Sequence, residues 1–421
     1  MPLPSWPLLS WIVGLVTAQG APTPVSPASY QELVDWYELA PGRHALVTFG
    51  ASGDLRLFDF DAPSFDVLTP EGEAFRWQPQ GGGAARRLAF ERDAAGAVTG
   101  FAWTGDGEGH ARRAGEHGYG QAEVRFRSGE VELCGTLLLP RGDGRHPAAV
   151  LLQGSGDSDR DNVWAFSIGN ALALSGVAVL VPDKRGCGQS RGDWKAVGFD
   201  ALAEDALAGA ALLGARAEVD PARVGFVGLS QGGWVAPLAA CRMPRAAFAV
   251  SVSGATVTVR EQVLHELGET ARAQGGDEET RAIARELMEM ALAFSTTGEG
   301  WDDYLAGVEA APPALAGAFP KERDDWRWAW YARVLDFDPL PLWKGLAAPG
   351  LIVYGAEDEH DNVPVRESVA RIDALRAAGK NALEVRVYEG SGHALDDPAT
   401  HWVRADFLAE LARWIAATPA R

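Results

Sequence analysis

From about residue 30 to residue 107, apolar and polar positions alternate in short runs: HALVTFG, LRLFDF, FRWQP, RRLAFERD and VTGFAWTG. Period-two alternation is the mark of strands with one buried face. The runs are separated by GASGD, TPEGE and RDAAG, which carry the residues of tight turns. Strands at this even spacing predict a small antiparallel β-domain, a meander or a barrel. The glycine- and charge-rich stretch GDGEGHARRAGEHGYG, at 105–120, reads as a surface connection.

A second texture begins near residue 121. AEVRFRS and VELCGTLLLP still alternate and read as a hairpin. Beyond them the apolar runs lose their alternation: AAVLLQ, VAVLVP, VGFVGLS, AFAVSVSG, LIVYG and LEVRVYEG. Short β-branched runs of this kind are strands buried on both faces, and the helical segments between them predict a mostly parallel, doubly wound α/β sheet. Its site is expected at the carboxyl ends of the strands. Between about 256 and 346 the strand texture gives way to amphipathic helix (REQVLHELGETARAQ, DEETRAIARELMEMALAF) and then to the tryptophan-dense DDWRWAWYARVLDF. This insertion reads as a helical cap. Trp326, Trp328 and Trp330 cannot share one helical face; core packing is the default for each, and lining a pocket under a lid is the sharper reading for at least one. The expected organisation is a β-rich domain at 31–120 and an α/β domain at 121–421.

The first twenty residues hold no charged side chain, and the apolar run from Trp6 to Val16 is too short to span a bilayer but suits a signal-peptide core. Residues 21–30, rich in Pro, Ala and Ser, read as a linker. The expectation is export to a periplasm or the outside, with no membrane span in the mature protein; the alternative is a frayed or mis-started N-terminus on a cytoplasmic protein. A formal charge of −19 opposes a nucleic-acid or anionic-membrane partner. Three cysteines (Cys134, Cys187 and Cys241) are too few and too scattered for a disulfide framework or a metal cluster, and no cofactor is expected.

Two stretches fit Gly-x-Ser-x-Gly, GLSQG at 228–232 and GQSRG at 188–192. Glycine-rich chains throw up such matches by accident, so context decides. A nucleophile elbow needs a buried strand running straight into the serine and a helix leaving straight after it. RVGFVGLSQGGWVAPLAACR supplies both around Ser230, whereas Ser190 sits in the irregular DKRGCGQSRGDW and reads as a turn residue. A serine needs a base, and the base an orienting acid. His393, in YEGSGHALDD, follows the last strand-like run; His265 falls in the cap, His360 precedes the preferred acid's neighbour Asp361, and His401 stands at the start of the final helix. The run LIVYGAEDEHDNVPVRES offers Glu357, Asp358, Glu359 and Asp361; Asp358, three residues beyond the strand end, is preferred, with Asp361 as the alternative. An oxyanion hole needs two backbone N–H donors, expected from Gln231 and from Ser155 in GSGDSDRDN. Asp157, Asp159 and Asp161 of that loop mimic the start of a calcium loop. The glycine expected next is Asn162, however, and no glutamate stands at the twelfth position, so no metal is expected. Asp159, Arg160 and Asp161 are expected to form local ion pairs and helix-capping contacts.

From about Gln121 onward the chain resembles the α/β-hydrolase superfamily, and most of all bacterial carboxylesterases with an HGSGP-x-DRD oxyanion loop. The matching pieces, in order, are QGSGDSDRD, DKRGCGQSRGDW, GLSQGGW, YGAEDEHDNVPV and GSGHAL. The resemblance implies a triad of Ser230, Asp358 and His393, oxyanion donors at Ser155 and Gln231, and a loop after the fourth strand braced by Asp183 and Arg185. Two departures stand out: Gln153 replaces the usual His, and Asp157 the usual Pro. The N-terminal segment resembles small β-domains appended to some hydrolases. The implied function is serine-dependent cleavage of carboxylic esters, and a capped apolar pocket with tryptophans favours uncharged esters of short to medium acyl length. A peptidase or acyltransferase with the same triad is the alternative, and a non-catalytic binding module on a hydrolase scaffold is the alternative from another class.

Overall fold

The computed structural model describes residues 30–421 apart from 60–64, 80–82, 116, 380–381 and 401. The candidate signal segment, residues 21–29 of the linker and His401 therefore lie outside the described residues.

Strands β1 (Asp35–Ala40), β2 (Arg43–Phe49), β3 (Leu55–Asp59), β4 (Phe65–Glu71), β5 (Ala74–Trp77), β6 (Arg86–Arg92), β7 (Val98–Thr104) and β8 (Gly109–Arg113) pair antiparallel in chain order. β8 returns to β1, with Tyr37 opposite Arg113, and closes a barrel. Alternate side chains, among them Tyr37, Val47, Leu57, Leu88 and Phe101, fill its interior. The stretch at 105–120 is therefore not only a connection, because β8 lies inside it. Its sequence GHARR buries only Ala111, and it is held by ladder hydrogen bonds that ask nothing of apolar side chains. Glycine makes the closure fit: a Cβ on Gly100 would run into the Ala111 carbonyl, and one on Gly109 into the Trp103 ring.

The second unit runs β9 (Tyr119–Ser128), β10 (Val131–Pro140), β11 (His146–Leu152), α1 (Val163–Leu174), β12 (Ala178–Pro182), α2 (Phe199–Gly214), β13 (Val219–Leu229), α3 (Gly232–Arg242) and β14 (Ala249–Val252). The inserted helices follow: α4 (Val259–Ala273), α5 (Glu278–Thr297), α6 (Trp301–Ala310), α7 (Pro313–Ala316), α8 (Trp326–Val334) and α9 (Leu340–Gly345). The chain then returns through β15 (Gly350–Gly355), α10 (Val365–Ala377), β16 (Leu383–Tyr388) and α11 (Ala405–Ala417). Spatial order in the sheet is β16-β15-β14-β13-β11-β12-β10-β9; the hairpin β9–β10 is antiparallel and the strands from β11 onward pair in parallel. Neighbours on one strand feed opposite cores, Phe226 one face and Val227 the other, and both are fully buried. Lost alternation in the sequence is the direct record of that double burial.

The tryptophans of α8 divide as helical spacing demands. Trp328 packs with Phe294, Trp301 and Tyr304 inside the cap, whereas Trp330 packs against Trp194 and Phe199 over the sheet. The barrel seats on the second unit through Trp36 against Tyr119 and Phe58 against Phe166. No helix of the described residues is long and apolar enough to cross a membrane.

Candidate active site

Ser230 stands between the end of β13 and the start of α3, in the left-handed region at φ 50°. For a residue with a Cβ that conformation costs roughly 1–2 kcal/mol, so the surroundings must enforce it. They do so by close packing. A Cβ on Gly228 would collide with the Gly232 carbonyl, and one on Gly232 with the Leu152 carbonyl, so only glycines let strand, turn and helix approach this closely. The Ser230 amide donates to Val252 O at 2.8 Å and its carbonyl accepts from the Gly233 amide at 2.7 Å. The hydroxyl is thereby lifted onto the carboxyl edge of the sheet at a helix N-terminus.

His393 lies in the turn after β16, and its Nδ1 is 2.8 Å from Asp358 Oδ2. Asp358 follows β15 and is fully buried at 0% exposure, whereas the imidazole is 21% exposed. The other Asp358 oxygen accepts from the Asn362 amide. Burial alone would pull the His393 pKa down; the charge and hydrogen bond of Asp358 outweigh it and hold the imidazole above its usual value. Asp361 and Glu266 add smaller contributions in the same direction. Asp361 is placed behind Asp358, donating its amide to the Asp358 carbonyl, and burial together with the Asp358 charge raises its own carboxyl. The end of β14 ties the histidine turn to the serine turn: Ser253 Oγ donates to His393 O at 2.7 Å, and a Cβ on Gly254 would sit 2.9 Å from Ser230 O.

The loop after β11 passes directly beside the serine, since a Cβ on Gly154 would be 3.5 Å from Ser230 Cβ. The Ser155 and Gln231 amides donate to no acceptor among the described residues. Gln153, which stands where the resembling family has His, uses its whole side-chain amide on the loop. It donates to Asp159 O and Pro182 O and accepts from Ser158 Oγ. Arg160 is buried on Asp183 through Nε at 2.9 Å and Nη2 at 2.7 Å, and Asp183 also accepts from the Gln189 amide. Asp159 makes the local contacts expected of it, accepting from the Asp161 and Asn162 amides, but the ion pairs of Arg160 and Asp161 are not local. Asp161 reaches the barrel, accepting from the Ala51 amide and pairing with Arg56 at 2.9 Å, and Asn162 rather than an aspartate caps α1. Each aspartate of the loop is spent on the fold: Asp161 on the barrel, which is invisible in the loop's own sequence, Asp157 on Trp194 Nε1 and Asp159 on the Asp161 amide.

The remaining candidates are placed elsewhere. Ser190 Oγ is a buried brace, donating to Asp183 O and accepting from the Cys134 amide. His360 lies near Glu269, and His265 belongs to α4 in the cap. Among the described residues no group of three or more His, Cys, Asp or Glu side chains could hold a metal ion. Reading the sequence missed Trp164, whose ring centroid is 5.5 Å from that of His393, and Lys184, whose ammonium lies under the oxyanion loop. Lys184 carried a usable signal: it is one of only five lysines and stands two residues past the carboxyl end of a buried strand. Within the cap, a cavity of about 160 Å³ is lined by Leu267, Met288, Leu315, Phe319 and Trp328, with Glu266 at its wall.

Among solved structures, an esterase from Pyrococcus furiosus is 16% identical, with 71% of this chain and 91% of that chain covered and a TM-score of 0.48. A hypothetical protein from Pseudomonas aeruginosa is 18% identical (72% and 95% covered, TM-score 0.47), and a proline iminopeptidase from Mycobacterium smegmatis 19% (70% and 98%, TM-score 0.45). At these identities nothing passes from them to this chain about substrate. No functionally curated protein matches significantly. The sequence model of the alpha/beta hydrolase family matches residues 149–411, more than half of the chain and the whole stretch that carries the serine, the acid and the histidine, and the chain belongs to that family.

Proposed function

We propose that this hydrolase cleaves carboxylic esters through an acyl-enzyme on Ser230. The observation that carries the reading is the fully buried Asp358 bonded to His393 Nδ1, which leaves Nε2 as the free ring nitrogen on the edge where the left-handed Ser230 stands. In the proposed cycle His393 takes the hydroxyl proton as Ser230 Oγ bonds to the ester carbonyl carbon. The carbonyl oxygen becomes an oxyanion between the Ser155 and Gln231 amides. The C–O bond to the alcohol then breaks, and the alkoxide leaves with the proton from His393. Water, deprotonated by the same imidazole, attacks the acyl carbon and releases the acid and Ser230.

The apolar lining of the cap cavity favours an uncharged acyl or alcohol group of short to medium length. Glu266 lines this cavity, and its charge is the smallest of the contributions that raise His393. The test is hydrolysis of a nitrophenyl ester chain-length series by the wild type and Ser230→Ala. Equal rates from the two proteins sink the mechanism. Matched amide and ester substrates separate the esterase from a peptidase, and faster amide turnover reverses the assignment.

A further inference from the structure

We propose that Lys184 is a positioning residue for the oxyanion hole, its ammonium fixing the peptide that carries the Ser155 N–H and the Gln231 side chain in one arrangement. The inference rests on the reading of Ser230 as nucleophile with Ser155 and Gln231 as donors.

Lys184 Nζ donates to Gly154 O at 2.6 Å, to Gly156 O at 3.0 Å and to Gln231 Oε1 at 3.0 Å. An ammonium has three protons, and these three acceptors take all of them. The Gly154 carbonyl and the Ser155 N–H belong to the same planar, trans peptide and point in opposite directions. Holding the carbonyl down on Lys184 therefore turns the Ser155 N–H away from the lysine, on the loop that packs against Ser230. With glycine at 154 the peptide has little steric preference of its own, and a flipped peptide would present a carbonyl oxygen where the oxyanion needs a donor. The Gln231 side chain is bound by the same ammonium through Oε1, while its buried Nε2 has no partner, so Lys184 alone sets which way that amide faces. One cation thus ties together both residues that furnish the hole.

The site is dry: Lys184 is 7% exposed, with Nζ 4.7 Å above the Trp194 ring. The charged and titratable groups around it are few. Asp157, on the same loop, is bound to Trp194 Nε1 and lies 3.4 Å from Lys195; Lys195 sits over the same ring; Cys187 has a thiol that burial raises; the facing residue before α3, Gln231, is neutral. Arg185 and Asp183, its chain neighbours, are paired with Asp205 and Arg160. Burial brings the lysine down to about 8, with Cys187 and Asp157 opposing. Above that pH the amine keeps two protons for three acceptors, and its lone pair faces a carbonyl oxygen.

The experiment measures kcat and KM for a nitrophenyl ester from about pH 6 to 10 with the wild type, Lys184→Arg, Lys184→Met and Ser230→Ala, beside labelling of Ser230 by a phosphonate ester. The wild-type kcat should fall on the alkaline side with a midpoint near 8. Lys184→Arg, always charged, should lack that limb and keep kcat within about tenfold. Lys184→Met should lose about 100-fold in kcat with KM within about threefold, and label correspondingly slowly. A wild-type kcat for Lys184→Met, or an unchanged alkaline limb in Lys184→Arg, overturns the proposal. Where neither variant folds, the wild-type profile decides, and a flat kcat from about pH 7.5 to 9 overturns it. Ser230→Ala separates the two levels: full activity there removes the nucleophile reading itself, whereas an inactive Ser230→Ala beside a fully active Lys184→Met removes only the role of the lysine.

Discussion

Each strand of the barrel sends one row of side chains into a closed interior, and in β6 only Leu88 is fully buried, whereas β14 and β15 bury every residue. The barrel is stabilised by closure, through a ladder that runs full circle, and the sheet by two apolar layers. The difference decides where chemistry can sit. A parallel sheet under helices brings all its strand ends to one edge, and Ser230, Asp358 and His393 each occupy the turn after a strand there. The barrel offers no such edge, and its polar groups serve its own turns and its seat on the larger unit.

The largest effect should come from Ser230→Ala, a loss on the order of 10⁵–10⁶ in kcat with the melting temperature kept, measured by ester hydrolysis and calorimetry. Next, Asp358→Asn should lower kcat by about 10³–10⁴, and Asp361→Asn by less than about tenfold. The pH profile sharpens this. The base must be unprotonated, and His393 is held above its usual value of about 6.5, so the wild-type rate should rise with pH through a midpoint above that value. Removing the Asp358 charge should bring the midpoint down, and an unmoved midpoint assigns the orienting role elsewhere. In the barrel, Gly100→Val sets a side chain against the Ala111 carbonyl and should lower stability by about 3 kcal/mol, read by urea melts. The smallest effect is expected at the seam. Arg56 and Asp161 are each 16% exposed, and Arg56→Ala should remove about 1–2 kcal/mol and lower kcat about threefold. An unchanged kcat there reduces the barrel to packing.

What the sequence disclosed follows the same division. Double burial leaves an apolar run that needs no partner to be recognised, so β11 to β16 and the elbow at Ser230 are legible one strand at a time. Closure of the barrel is not, because β8 is polar and its only strong signal, the match to β1, lies in backbone hydrogen bonds between residues more than seventy positions apart. Distance past the strand end favours Asp358 over Asp361 without separating them; only the fold shows that one carboxylate is seated on the imidazole and the other is not, the Asp361 amide bonding instead to the Asp358 carbonyl. Lys184 stayed hidden for a different reason: a motif shows which residues recur, and nothing in DKRGCGQS says that a side chain reaches back thirty residues to a pair of carbonyls.

The loop after β11 is anchored at three successive residues to three different bodies: Arg160 to the end of β12, Asp161 to the barrel and Asn162 to the first turn of α1. Such a loop has no independent position. Any tilt of the barrel on its seat is passed within a few bonds to the peptide of Ser155, so the small domain and the site share mechanical tolerance. A homologue or variant that exchanges the barrel for another module would have to supply a new cation at the place of Arg56, or accept a hole whose width drifts with the docking of its neighbour.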